Sequence, residues 1–487
     1  MNSIEKILKQ KGPSLSSEIA EILQNVEGIS KEAARKRISR MPDSIKRLKG
    51  ISFPNRESFI FLEGQFGNID FYENLTNAFI ESNSAYGRAI LGLKARNGII
   101  KRINFSIASG LPIFFTKGQL LHEYVEKKLI DLGVLLISES IDGQLIKLKN
   151  ISDLSNRRQA VLKVESIVLS TVRIWLTKLG ITSFNVTAIR DDVIPKFGPF
   201  NWDIVGPSYL SGLTGKKEGK ITQGYVVGDI ILDKEIQLSD LIPFFYKTDL
   251  IRNQKNQKRF VAMFIADLFA PDALNELRRR GFLVATPENL FGAEIAKLLK
   301  ELVNTIEHAA AAIVKNPDAV FKLIGKISKI EGASYNLRSV ILELIIGRLF
   351  TINGYQIQIR QLIRDPYFES AEIDIKAVKD NEVICIECKA KAPGNLVNKD
   401  EIEEWINTSY PRIKGWLKNA NTLPSKRAFH FYSSTDYSLE AKVFISQLRE
   451  IHKRQAISFY NGQDIIKFLG EQKQNSLVTI FKEHFKE

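Results

Sequence analysis

Residues 371–391 read AEIDIKAVKDNEVICIECKAK. The β-branched residues Ile373, Ile375 and Val378 in one arm, and Val383, Ile384 and Ile386 in the other, predict two strands. Asp380-Asn381 between them predicts a two-residue turn, because both residue types tolerate positive φ. With that turn Lys379 faces Glu382, Asp374 lies opposite Glu387, and Glu372 lies opposite Lys389. Cross-strand neighbours have Cβ atoms about 5 Å apart and alternate residues share a face, so Glu372, Asp374, Glu387 and Lys389 converge. Two carboxylates this close repel each other, and a divalent cation between them removes the penalty. Oxygen ligands of this kind suit Mg2+ or Mn2+, and such an ion can orient a water, lower its pKa and stabilise charge on a phosphate.

A salt-bridged surface hairpin has a similar alternation. Here, however, Ile384, Ile386 and the flanking isoleucines would bury the other face. Helical patterns over 400–417 and 439–448 and strand-like stretches over 427–433 and 456–459 follow, which places Val383–Lys389 as a central strand of an α/β sheet. Taken together, residues 331–470 resemble the PD-(D/E)xK, or restriction-endonuclease-like, nucleases. Asp374 matches the acidic residue of that family's second core strand and Glu387-Cys388-Lys389 its E-x-K. Glu343, in a helix over Val340–Phe350, matches the acid of the first helix, and Gly354-Tyr355 matches the turn into the first strand, Gln356–Ile359. The resemblance implies metal-dependent phosphodiester hydrolysis. Asp374, Glu387, Glu343 and the Cys388 carbonyl would hold Mg2+, with Mn2+ as a substitute, and Lys389 would assist the water. Glu372 is a candidate partner of Lys389, and Arg360, Gln361 and Arg364 are candidate phosphate contacts.

Residues 155–300 echo this plan. Trp202-Asp203-Ile204 parallels Ile373-Asp374-Ile375, and Val226 to Ile231 parallels Ile384 to Lys389. Ile231 then stands where Lys389 stands, and residues 206–223 form a Gly- and Lys-rich insertion. This region is expected to be an inactive nuclease-like copy, or else an unrelated α/β domain. The helical stretch 301–330 links it to the nuclease domain, 331–487.

Further out, residues 1–70 predict three short helices and two strands around Pro54-Asn55-Arg56, the pattern of a winged helix-turn-helix. Its third helix carries Lys31, Arg35, Lys36, Arg37 and Arg40, expected to lie in a DNA groove, with Arg56 on the wing touching phosphate. Residues 71–154 read as a second winged helix or a connector. Helices are expected over Ala85–Ala95 and Lys117–Leu132, with a hairpin turning at Ile141-Asp142. The whole chain is therefore expected to be multidomain: a winged-helix (α+β) region, then two α/β restriction-endonuclease-like domains, the first degenerate.

Composition agrees with this expectation. The 487 residues carry a formal charge of +14, as proteins that meet polyanions do. Two cysteines exclude a disulfide scaffold and fit a reducing cytoplasm. Neither a signal peptide core nor an apolar run long enough for a membrane span is evident. Cys385 and Cys388 lack a second ligand pair for zinc, Gly212 to Lys217 does not complete a P-loop, and the five histidines are scattered. The expected activity is a DNA endonuclease serving restriction or defence against foreign DNA, as a homodimer or with defence partner proteins. The alternatives are a structure-specific repair nuclease and a non-catalytic DNA-binding scaffold.

Overall fold

The structure, a computed structural model, describes residues 2–486 except 52, 139–142, 150–154, 218–219, 255–257, 331–332, 366–367, 420–423, 425 and 452–455. The side chains of 155, 216–217, 220–221, 333–336, 362, 364–365, 368–370, 451 and 456 are also outside the described set. The expected turn at Ile141-Asp142, the side chain of Arg364 and His452 therefore lie outside the described residues.

Helices Ser3–Lys11, Ser16–Glu27 and Lys31–Ser39 open the chain. They bury Ile4, Leu8, Ile19, Leu23, Ala34 and Ile38 together. The Ser30 hydroxyl caps the third helix by accepting the Ala33 amide at 3.2 Å. Strands Ser14–Leu15, Phe59–Leu62 and Ile45–Arg47 form a small antiparallel sheet in that order. A second unit follows the same succession: helix Ala85–Lys94, strand Ile99–Lys101, helices Phe105–Ser109 and His122–Asp131, then strands Leu135–Ser138 and Leu145–Leu148. Its sheet has the first-to-third-to-second strand order of the first unit. The helix expected to begin at Lys117 begins at His122 instead. Gly118, at φ 76°, turns the chain there, and the Gln119 amide donates to the Thr116 carbonyl at 3.0 Å.

Helix Ile69–Glu81 welds the two units. Its Phe71, Leu75 and Phe79 join Phe59 and Phe61 of the first sheet and Tyr86 and Ile90 of the second unit in one core.

Two five-stranded sheets make up most of the remainder. One runs Ala188–Ile189, Ile204–Ser208, Gly224–Ile236, Phe260–Phe269, Leu283–Ala285. The other runs Gln356–Asp365, Phe368–Lys379, Glu382–Lys389, Lys426–Ser433, Ala456–Tyr460. In each, the first two pairings are antiparallel and the last two parallel. A long helix precedes each sheet, Ser155–Lys178 and Ala333–Ile352, and the two helices pack on each other. Helix Ala333–Ile352 is apolar nearly all round; Val340, Ile341, Leu342, Leu344, Ile345 and Ile346 are all buried. It therefore lies inside the molecule, within a core that touches both sheets. Among the described residues no helix is long and apolar enough to cross a membrane.

Helix Ala85–Lys94 approaches Phe105–Ser109 so closely that a Cβ on Gly92 would fall 1.8 Å from the Ala108 carbonyl oxygen. Both sides are backbone, so relief requires moving a helix. Gly92→Ala is expected to destabilise the N-terminal half by about 1–3 kcal/mol, read as a lower urea midpoint for that half.

Candidate active site

The hairpin ladder runs from Lys379↔Glu382 to Ile375↔Ile386 and ends there. Asp380 supplies the turn with φ 48°. Beyond Ile375 the strands part. Phe368–Lys379 stays with its outer neighbour through Gln361↔Ile373 and Leu362↔Glu372. Glu382–Lys389 stays with the parallel strand through Lys389↔Ser433. Asp374 and Glu387 thus flank the point of divergence and form no ladder pair, and the expected Glu372–Lys389 cross-strand pair is not made. The cause is local: the Cys388 amide donates to Asp374 Oδ2 at 2.6 Å, a side chain taking the place of a backbone carbonyl across the hairpin.

Asp374 is 2% exposed, and its Oδ1 has no hydrogen-bond partner among the described residues. Burial, then the Glu387 and Glu343 carboxylates, push its carboxyl well above the usual range. Burial also lifts Glu387, to about 7; Lys389 opposes this while Glu372 and Glu343 add to it. An uncompensated pair of this kind costs several kcal/mol if both groups ionise without a cation, to the order of magnitude.

Glu343 is already engaged. Arg360 donates to it through Nε at 2.8 Å and a terminal nitrogen at 3.0 Å. Arg360 falls between the pairs Ile359↔Ile375 and Gln361↔Ile373, across from Asp374 but not paired with it, and takes φ 57°, a backbone cost that the bidentate pair offsets. Among the described residues no three His, Cys, Asp or Glu side chains stand ready to hold a metal together. Among the described residues Asp374 and Glu387 form no ion pair, Lys389 being near enough only to oppose the rise at Glu387. Mg2+ commonly takes one or two carboxylates and fills its remaining positions with water and phosphate oxygens, so the pair fits such an ion.

Lys389 points into a cavity of about 410 Å³ whose wall includes Glu372, Glu387, Glu401, Glu404 and Arg412. Its Nζ lies 3.3 Å from Glu401 Oε1, and Lys391 Nζ lies 2.7 Å from the same oxygen. Glu401 is itself fixed, since its Oε2 accepts the Asn398 amide at 3.1 Å and its own amide donates to Asn398 Oδ1 at 3.0 Å. This capping box at the start of helix Lys399–Asn407 holds the partner of Lys389 in place. Sequence reading missed Glu401; the visible signal was Asn398 three residues before a glutamate.

The other sheet repeats the geometry with a different outcome. Its ladder also ends one residue short, at Ile204↔Gly228, and the Ile230 amide donates to Asp203 Oδ2 at 2.8 Å. Ile189↔Ile204 matches Ile359↔Ile375, which makes Arg190 the counterpart of Arg360. Arg190 donates to Glu165 at 2.7 Å and to Asp203 at 2.8 Å. Lys247 Nζ lies 2.6 Å from Asp229 Oδ2, with the Asn201 carbonyl at 3.2 Å and the Trp202 ring beneath it. Here every carboxylate has a cation from the chain itself. Burial pushes Glu165 up, but Arg158 and Arg190 outweigh it and bring its pKa to about 2. The sequence signals for these cations were faint: Arg190 before Asp203, as Arg360 before Asp374, and a lysine among apolar residues of helix Ile242–Arg252.

Lys31, Arg35, Lys36, Arg37, Arg40 and Arg56 are all exposed, and they precede Asp374 by 318 to 343 residues in sequence. Helix Lys31–Ser39 ends before Arg40, which serves as its C-cap, and Arg37 pairs with Glu27.

No family model matches the chain, and no curated relative does. Among solved structures it is similar to a protein of unknown function, AF1548, at 17% identity and TM-score 0.21, over 27% of this chain and 66% of that one. It is also similar to the MspJI restriction endonuclease in complex with a 27-mer oligonucleotide, at 9% identity and TM-score 0.19, over 34% of each chain. A third likeness is to the restriction endonuclease FokI, at 11% identity and TM-score 0.19, over 92% of this chain and 81% of that one. The chain thus spans less than two thirds of the length of the first two. TM-scores this low establish neither a shared fold nor a shared activity.

Lys247→Ala leaves Asp229 buried without its cation. It is expected to destabilise the protein by about 3–5 kcal/mol, read from urea unfolding, and Lys247→Ala/Asp229→Ala to recover part of that loss.

Proposed function

We propose that the chain is a metal-dependent DNA endonuclease of the PD-(D/E)xK type, with its centre at Asp374, Glu387 and Lys389. The observation that supports this best is the buried, unpartnered Asp374 Oδ1 beside Glu387 where the strands part. Asp374, Glu387 and the Cys388 carbonyl would hold Mg2+ or Mn2+, and Glu343 would join them only on releasing Arg360. When bound, the ion supplies Lewis-acid polarisation of the phosphate and a lowered pKa for the attacking water. Lys389, two residues along the strand from Glu387, orients the water or a phosphate oxygen. Glu401, 3.3 Å away, holds the Lys389 side chain at the cavity wall. Arg360 stabilises Glu343 and thereby tempers the negative field at the pair.

The first α/β domain we take to be a silent copy. Lys247 and Arg190 supply internally the positive charge that the C-terminal pair lacks, and Ile231 replaces the lysine. The substrate is duplex DNA, gripped by Lys31, Arg35, Lys36, Arg37, Arg40 and Arg56 of an N-terminal winged helix. Restriction or defence against foreign DNA is the setting such an architecture suits, with a homodimer supplying a second centre for double-strand cuts.

The test is cleavage of supercoiled, linear, modified and branched DNA with Mg2+ or Mn2+. Lys389→Ala and Asp374→Asn are expected to cut at least about 100-fold more slowly than the wild type. Equal cutting by the variants would place the activity elsewhere. Binding without cutting by the wild type would favour a scaffold.

A further inference from the structure

Three cavities meet around the candidate centre. The one lined by Glu387 and Glu401 shares Lys389 with a second, of about 440 Å³, and the second shares Lys101 with a third. The second cavity lies where three parts of the chain come together. Lys101 comes from strand Ile99–Lys101, Lys163 from helix Ser155–Lys178, and Arg338 from helix Ala333–Ile352. Lys389 and Lys391 close it from the end of strand Glu382–Lys389. Among the described residues lining it, Asp191 is the one carboxylate against five cations, of which Lys389 and Lys391 also reach Glu401.

We propose that this second cavity seats the phosphodiester backbone of the strand to be cut, next to the scissile phosphate, with Lys101, Lys163 and Lys391 as phosphate contacts. This rests on the nuclease reading given above. Electrostatics favours it. The cavity holding Glu372, Glu387, Glu401 and Glu404 repels a polyanion, so a substrate reaching it needs compensating charge at its entrance. Lysines supply that charge as adaptable points and do not demand a fixed base edge, which suits a backbone track that carries no sequence information. The clustering is tertiary: strand Ile99–Lys101 lies against helix Ser155–Lys178, and the packing of the two long helices adds residues 338 and 391. The domain whose own carboxylates are neutralised thereby acquires a task, since its helix forms one wall of the substrate track.

The test uses the full chain. Binding of a fluorescent DNA duplex is measured in an Asp374→Asn background, with and without Lys101→Ala/Lys163→Ala, across a salt series. The slope of log affinity against log salt is expected to fall by about 1 per lysine removed. In the Asp374-intact protein the same pair of changes is expected to raise KM several-fold and leave kcat within about twofold, and Lys163→Arg to restore wild-type KM. An unchanged slope with unchanged KM in a protein that cuts DNA would overturn the seat and leave the nuclease standing. A wild type that neither cuts nor binds would overturn both, and a folded double variant whose loss lies in kcat alone would overturn the seat as well.

Discussion

The compensation of buried carboxylates where two strands part is the constraint on which both α/β domains are organised. In each, an aspartate takes the amide of the residue after the facing acid and thereby ends the ladder. The same act opens the sheet and leaves two acids side by side in a low dielectric. That charge must be met, because an unpaired buried carboxylate costs more than a fold of ordinary stability tolerates. The first domain meets it with Lys247 and Arg190. The C-terminal domain meets part of it with Arg360 on Glu343 and leaves Asp374 Oδ1 without a partner.

This difference separates the two sites more sharply than the presence of Ile231 in one and Lys389 in the other does. Lys247 shuts Asp229 off from solvent, whereas Glu387 lines a cavity, with Asp374 buried behind it. In the first site the guanidinium groups bring Glu165 down to about 2, although burial still raises Asp229 against Lys247; in the other both Asp374 and Glu387 are raised, and a bound cation would bring them down.

The helices matter as much as the sheets. Ser155–Lys178 and Ala333–Ile352 carry Glu165 and Glu343 to the backs of their own sites and pack against each other in a common core. That contact, with the one between strand Ile99–Lys101 and helix Ser155–Lys178, brings the lysines of three segments into one cavity. In the N-terminal half, helix Ile69–Glu81 does the corresponding work, fusing two units with the same strand order through Phe71 and Phe79.

Local chemistry was legible in the sequence wherever near neighbours decide it. The period-2 alternation and the Asp-Asn turn set the register from Lys379↔Glu382 to Ile375↔Ile386. Ser30 and the spacing of Ile38 marked the third helix, and Ile384 and Ile386 announced a buried central strand. The parting of the strands at Asp374 was not legible, because a side chain outbids a carbonyl for the Cys388 amide only in the folded geometry. Nor were the pairings of Glu343 with Arg360, of Asp229 with Lys247, or of Lys389 with Glu401, since each joins residues from different elements. A sequence by itself determines which surfaces are apolar and which turns are permitted. Which charge neutralises which is decided by the tertiary structure, because a Coulomb interaction depends on distance and burial, and neither is set by separation along the chain.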